Sequence, residues 1–550
     1  MRGERCSSRH TASVRGRPNI LLIITDQERC WDTLPADLEL PARERLKRGG
    51  IHFINYHVNA VACSPSRSTI YTGQHVRRTR VFDNAGEGLE LDPQRTATIG
   101  HMLQRQGYCT VYAGKWHLSA DSVFRRAEKD LADALTPYGF EHYRPIVDSG
   151  DSYGEAQEGA SADASLALWG RDWLAGKVSD IAQGRPWFLA LNFVNPHDIM
   201  FFDATGRQSE TQLAHWARMK IAPKTWPYSE DLGFDLPRSF TADLSDKPAV
   251  HRAFIEDAAL TFGEMPHQDR QAWRRYQNYY FNCLRDGDRH IGTILDALEK
   301  SGSNGNTVVI FSSDHGELAG AHGMRGKGPV VYRENFAVPL IIRHPDVHGG
   351  SQSSTLMCAV DLAPTILGLT GLDGPATKEI FPDLVGYDMS ESIADCGASG
   401  ARAVAAGGIL LTSSIVHASN PATTRQLAQP AMDDFVSKLP KPASAWPRGP
   451  VDAGLKSFLR GYYDGRYRFA RYFEPGDDHL PRDWQTLVGR NELELYDTLN
   501  DVDEMANLAA APETHQPLLL ELNARLNALI EGEEGPPEEA SAAGGAPAAQ

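Results

Sequence analysis

Four carboxylates, two amides, a lysine and three histidines sit just after four apolar runs in this chain. Asp26-Gln27 follows NILLIIT, and Lys115-Trp116-His117 follows TVYAG. Asn195-Pro196-His197-Asp198 follows FLALNFV, and Asp314-His315-Gly316-Glu317 follows TVVIFSS. An aspartate at a strand end is often only a turn or cap residue. Gathered in one place, Asp26, Gln27, Asp314 and His315 offer two carboxylates, an amide oxygen and an imidazole. Such oxygen-rich sets suit a hard divalent cation. The cation would lower the pKa of a nucleophilic hydroxyl and neutralise the oxygens of a group in transfer. A fifth string, Cys63-Ser64-Pro65-Ser66-Arg67, runs on to Thr72-Gly73. Its cysteine reads either as a small buried residue or as a thiolate nucleophile activated by Arg67. Arg67, Lys115, His117, His197 and Lys327 together would make the positive pocket that an anionic ester requires. Arg325, two residues before Lys327, is a rival for its role, and Asn84 is a candidate amide contact to substrate.

Strands and helices must bring these strings together. Asn19–Thr25, Thr110–Ala113, Phe188–Phe193 and Thr307–Phe311 are continuous apolar runs, as expected of strands buried on both faces of a parallel sheet. Helical patterns lie between them at Pro41–Lys47, Thr98–Gln106, Ala164–Ala175 and Arg270–Lys300. The alternation predicts an α/β fold, in which functional residues gather outside the carboxyl ends of the strands. Residues 18–385 are expected to form the catalytic domain. Within it, 201–269 is rich in Pro, Asp and Trp, lacks clear periodicity, and reads as an insertion over the active face. Trp216, Trp226 and Tyr228 there either line the pocket or merely pack. Short strands at Gly408–Ile415 and Arg466–Phe473 and a late helix at Thr514–Ile530 predict a smaller α+β subdomain over 400–531. The ends, 1–17 and 532–550, read as disordered.

Composition narrows the class further. The chain has 550 residues, 41% of them hydrophobic, enough for one large core with a smaller appendage. A net charge of -16 argues against nucleic acid as a partner. Seven scattered cysteines are not a disulfide framework. No apolar stretch of spanning length occurs and the first residues carry no apolar signal core, so a cytoplasmic protein with no membrane association is expected. A homo-oligomer is compatible with this composition.

The string CSPSRSTIYTG resembles the signature of the sulfatase family, in which Cys-x-Pro-x-Arg is read by a formylglycine-generating enzyme. Gly114-Lys115-Trp116-His117-Leu118, the Tyr332–Ile341 segment, and Glu494-Leu495-Tyr496-Asp497 with Asn500–Glu504 and Asn507-Leu508-Ala509 resemble further family strings. The likeness runs from about Arg17 to about Ala509, with Ile199 and Val502 standing where prolines are usual. It implies an alkaline-phosphatase-like α/β sandwich with a large, mainly parallel sheet and a small C-terminal subdomain. It also implies that Cys63 is oxidised to formylglycine, whose hydrate attacks the sulfur of a small-molecule sulfate ester. Asp26, Gln27, Asp314 and His315, with residue 63, would hold one divalent metal. Calcium is favoured, with manganese or magnesium open because imidazole is a poor calcium ligand. Arg67 and Lys115 would hold the sulfate oxygens, and Lys327 and His197 would assist departure of the alcohol. His117 would help eject sulfate, and Asn84 would contact it. Gln27 and His315 also occur in choline-sulfatase-like and phosphonate-hydrolase-like branches, so a phosphonate or phosphate ester hydrolase is the alternative. A binding protein with unmodified Cys63 and a two-metal zinc phosphatase are more distant rivals.

Overall fold

A computed structural model describes residues 17–85, 89–119, 131–145, 158–213, 219–395, 400–415, 421–422, 424, 454–475, 477 and 479–535. The expected arm before residue 17, the tail after 535, and Trp216 lie outside the described residues.

The apolar run Asn19–Asp26 forms the middle of an eight-stranded sheet. The strand order is Ser351–Ser353, Ile51–Phe53, Leu340–Arg343, Thr307–Ser313, Asn19–Asp26, Trp187–Pro196, Cys109–Gly114 and His142–Arg144. Leu340–Arg343 alone among them runs against the rest. Residues on a strand alternate between faces, and here the two faces meet different cores. Ile20, Leu22 and Ile24 pack with Ile70, Tyr71, Met102 and Leu367. Leu21 and Ile23 pack with Leu46, Leu166, Ile291 and Leu298. Helices Cys63–Thr72, Ile99–Arg105 and Leu362–Leu369 therefore cover one face. Helices Pro41–Gly49, Glu158–Asp172 and Arg270–Lys300 cover the other. The result is an α/β/α sandwich, as the apolar runs imply.

The 201–269 segment is more ordered than its sequence suggests. It contains the helix Ala249–Phe262, whose buried positions Val250, His251, Phe254, Asp257, Ala258 and Thr261 follow helical spacing. Polar residues occupy three of those six positions, which hides the periodicity from an apolar reading.

Past residue 400, Ile409–Ser413, Phe458–Tyr463, Tyr467–Phe473 and Glu492–Asp497 form an antiparallel meander. Helix Gln516–Leu529 lays Leu519, Leu522, Leu526 and Leu529 against Leu410, Tyr462, Phe469 and Leu495. Burying each of those leucines is worth about 1.5–3 kcal/mol. This sheet is not self-contained. Its fifth strand is Ala60–Val61, parallel to Thr412–Ser413 and only two residues before Cys63. Asn59 reinforces the join by donating to the Leu410 carbonyl at 2.9 Å and accepting from the Val360 amide at 3.0 Å. The boundary expected at 532 also moves, because Ile530–Glu534 continues the last helix with wider turns. Glu533 pairs with Arg402 at 2.7 Å and His75 at 2.6 Å, and Glu534 with Arg460 at 3.0 Å.

Two buried histidines outside the site make stability pH-dependent. Burial and the neighbouring Arg468 hold His57 well below the usual imidazole value. Burial, then His251, hold His322 down to about 3. Both are neutral when folded but protonate near pH 6.5 when unfolded. Their contribution is thus complete above about pH 6.5 and is lost as pH falls toward the folded values. By pH 5 His322 should cost about 2 kcal/mol and His57 should add to the loss, read as a melting temperature that drops between pH 7 and pH 5. Replacing His322 with Phe should flatten that slope.

Candidate active site

Asp26 and Asp314 end or follow adjacent parallel strands, so their carboxylates emerge side by side. Gln27 turns sharply with φ 73°, and its backbone N–H donates to Asp314 Oδ1 at 3.1 Å. Lys115 leaves the Cys109–Gly114 strand through Gly114 (φ 101°). A Cβ on Gly114 would lie 2.0 Å from the Asn192 carbonyl oxygen, so only glycine fits there. His197 follows the Trp187–Pro196 strand. Cys63 opens a helix buried along its whole length and is itself 1% exposed.

The side chains converge closely. Cys63 Sγ lies 3.1 Å from His315 Nε2, 3.7 Å from Asp26 Oδ1 and 3.8 Å from Lys115 Nζ. His315 Nδ1 faces the Gly316 carbonyl at 3.0 Å, which fixes a proton there and leaves Nε2 to act as a ligand. Asp26, Cys63, Asp314 and His315 present ligand atoms all within 4.8 Å of one another. Two carboxylates and an imidazole around one space fit a single divalent cation. Lys115 Nζ meets Asp26 Oδ2 at 2.8 Å. Lys327 Nζ donates to Gln27 Oε1 at 2.6 Å and lies 2.8 Å from Met200 Sδ.

Arg67 is bonded to the carboxylates. Its Nε meets Asp314 Oδ2 at 2.9 Å and its Nη2 meets Asp26 Oδ2 at 3.0 Å. Its Nη1 donates to the Lys115 carbonyl and to Asn192 Oδ1. A fully buried guanidinium spent in this way clamps the carboxylates from behind.

The electrostatics follow from this crowding. Burial pushes the Asp26 carboxyl up, but Lys115, His197, Arg67 and His315 outweigh it and hold it well below the usual range. Burial and the adjacent Asp26 charge raise Asp314 instead. Burial and Asp26 push the Cys63 thiol up, yet Lys115, Lys327 and His315 bring it below its ordinary value. Burial, then Lys115, keep His117 and His197 well below the usual imidazole value, so both are neutral bases at pH 7.

The remaining candidates are placed as follows. His117 is half-buried, has φ 55°, and its carbonyl accepts from Ser64 Oγ at 2.5 Å. Asn84 Oδ1 accepts from the Ser64 amide at 3.4 Å, beside the cysteine. Arg325 is turned away, donating to the Ala258 and Gly263 carbonyls, so Lys327 alone of the two reaches the cluster. Tyr228 is packed, with its hydroxyl donating to Asp286 at 3.1 Å, and Trp226 is exposed under Arg285. Neither lines the cluster. Sequence reasoning passed over Asn192, Tyr71 and Glu317. Asn192 is a wholly buried polar residue inside an apolar strand, and that oddity was the available signal. Tyr71 donates to Asn192 Oδ1 at 2.7 Å.

The α/β/α sandwich gathers two carboxylates, an imidazole, a buried cysteine and two lysines about the ends of its strands, a set suited to the chemistry of an anionic ester. Residues 18–372 match the family model described as Sulfatase, and the chain belongs to the sulfatase family, whose members are sulfuric ester hydrolases. It is 26% identical over 388 residues to a choline-sulfatase of Rhizobium meliloti (strain 1021), covering 67% of this chain and 70% of the relative. Its fold is similar to a 2-O GAG sulfatase (TM-score 0.65, 20% identity, 94% of this chain and 93% of the other). It is similarly close to a phosphonate monoester hydrolase of Agrobacterium radiobacter (TM-score 0.64, 21% identity, 93% and 95%). The family generally uses a metal ion and formylglycine.

Proposed function

We propose that this chain hydrolyses small-molecule sulfate monoesters through formylglycine at position 63. The observation that carries the reading is the placement of Cys63 Sγ among His315, Asp26 and Lys115, the spot where a nucleophile would need both a metal and a positive field. Formylglycine supplies a hydrated aldehyde. Its paired hydroxyls would supply a nucleophile for the sulfur and a means of releasing sulfate afterwards. Asp26, Asp314 and His315, with Gln27 beside them, would hold the divalent metal, which supplies Lewis acidity. Lys115 and Asn84 bind sulfate oxygens. His117, neutral at pH 7, takes the proton whose loss ejects sulfate. Lys327 and His197 attend the leaving alcohol. Arg67 bridges Asp26 and Asp314 and favours the charged form of each.

Gln27 and His315 sustain a second reading, a phosphonate or phosphate ester hydrolase on the same fold. Turnover of p-nitrophenyl sulfate and of a p-nitrophenyl phosphonate monoester by protein co-produced with a formylglycine-generating enzyme separates the two. The sulfate ester should win in kcat/KM by at least about tenfold, the gain of one well-placed interaction. A phosphonate preference would transfer the assignment to the second reading. An unmodified thiol at 63 in that preparation, read from the mass of its tryptic peptide, would favour a binding protein.

A further inference from the structure

Glu317 is wholly buried and stands three residues beyond Asp314, yet the scheme above leaves it without a task. Its two oxygens face different partners. Oε1 accepts from the Gly326 amide at 2.7 Å, the Ala319 amide at 2.9 Å and the Tyr276 hydroxyl at 3.3 Å. Oε2 accepts from Gln27 Nε2. A carboxylate only accepts, and a carboxamide has one accepting and one donating end. With its nitrogen committed to Glu317, Gln27 must present its oxygen on the other side, where Lys327 Nζ donates to it at 2.6 Å.

We infer that Glu317 is a positioning residue. It locks the Gln27 amide so that the oxygen faces Lys327, and so holds that ammonium in place for the leaving alcohol. This rests on the role proposed above for Lys327. It also explains the amide at position 27. A carboxylate there would oppose Glu317 in a buried space, whereas glutamine carries the negative charge of Glu317 across to the lysine as an oriented dipole.

The donor pattern gives a sharp test. In Glu317→Gln the three donors at Oε1 retain the new amide oxygen, so the 319–326 loop stays held. The new NH2 then faces Gln27, which must either oppose it nitrogen to nitrogen or turn its own NH2 toward Lys327. Gln27→Glu in the same chain restores an acceptor to both neighbours. With p-nitrophenyl sulfate, Glu317→Gln should lower kcat about 10- to 100-fold, with KM within about threefold, as for a lost assisting group. Gln27→Glu alone should fall comparably. The double variant should recover to within about fivefold of the parent, a non-additive cycle that a merely structural Glu317 would not produce. A Glu317→Gln kcat within about twofold of the parent, or a double variant no better than the additive sum of the singles, would overturn the inference. Melting temperatures of the same four chelator-treated proteins should show the same non-additivity, and additive shifts would overturn it. Absence of turnover in the parent would therefore sink the sulfatase reading while these shifts still decide the Gln27–Glu317 coupling.

Discussion

Cys63→Ala should abolish sulfate ester turnover, lowering kcat by on the order of 10⁴-fold or more while the protein stays folded. The side chain lost is small and its neighbours are polar. The expected cost in stability is therefore ordinary for a single substitution, about 1 kcal/mol. The kinetic loss is large because residue 63 carries the proposed nucleophile. Asp26, Cys63, Asp314 and His315 present ligand atoms within 4.8 Å of one another. Three of these hold or polarise, and only residue 63 supplies a nucleophile. Steady-state kinetics beside a thermal melt checks both halves. Retained esterase activity in a folded Cys63→Ala protein would mean that water or another residue attacks, and the covalent scheme would fall.

Arg67→Ala should be the most damaging single change to both stability and activity. Its guanidinium lies between Asp26 and Asp314 with no exposure on any of the three. Removing it leaves two buried carboxylates side by side. Lys115 partly compensates Asp26 at 2.8 Å, but Asp314 Oδ2 loses its charged partner. Breaking a buried pair in this way costs about 3–5 kcal/mol. One carboxylate would then take up a proton and weaken the metal site. Arg67→Lys should rescue little, because a point charge cannot bridge both acids and also reach Asn192. The melting temperature should drop in the unmodified protein as well as in the modified one. That comparison separates the structural effect from failed recognition of the Cys-x-Pro-x-Arg string, with the mass at residue 63 read in parallel. A parental melting temperature in Arg67→Ala would refute the clamp.

The parts of the fold that were legible are those where one physical demand dominates. Asn19–Asp26 is apolar throughout because both faces are buried, and Arg270–Lys300 keeps its apolar stripe over 31 residues. Short strands such as Ile51–Phe53 and His142–Arg144 were missed, since three residues carry no period. The Ala249–Phe262 helix was hidden by His251, Asp257 and Thr261 on its buried face. At the site, residue types and order along the chain pointed to the cluster, because each string closes a strand. The direction each side chain takes did not follow. Arg67 and Lys327 are both cations in a sulfatase string, yet one turns back to two carboxylates and the other toward Gln27. That choice depends on Asn192, Met200 and Glu317, to which the sequence reading gave no task.

The Ala60–Val61 strand has a consequence in time. Its pairing partner, Thr412–Ser413, emerges from the ribosome about 350 residues later. At about 5–20 residues per second the interval is roughly 20–70 s. Throughout it the segment leading into Cys63, a thiol 1% exposed in the folded chain, lacks its strand partner. If Cys63 is converted as proposed, synthesis itself opens a window for that change, and the pairing of Thr412–Ser413 with Ala60–Val61 closes it. Synonymous codon changes that speed or slow translation between 62 and 409 should alter the fraction of chains that are modified, with no change in any amino acid.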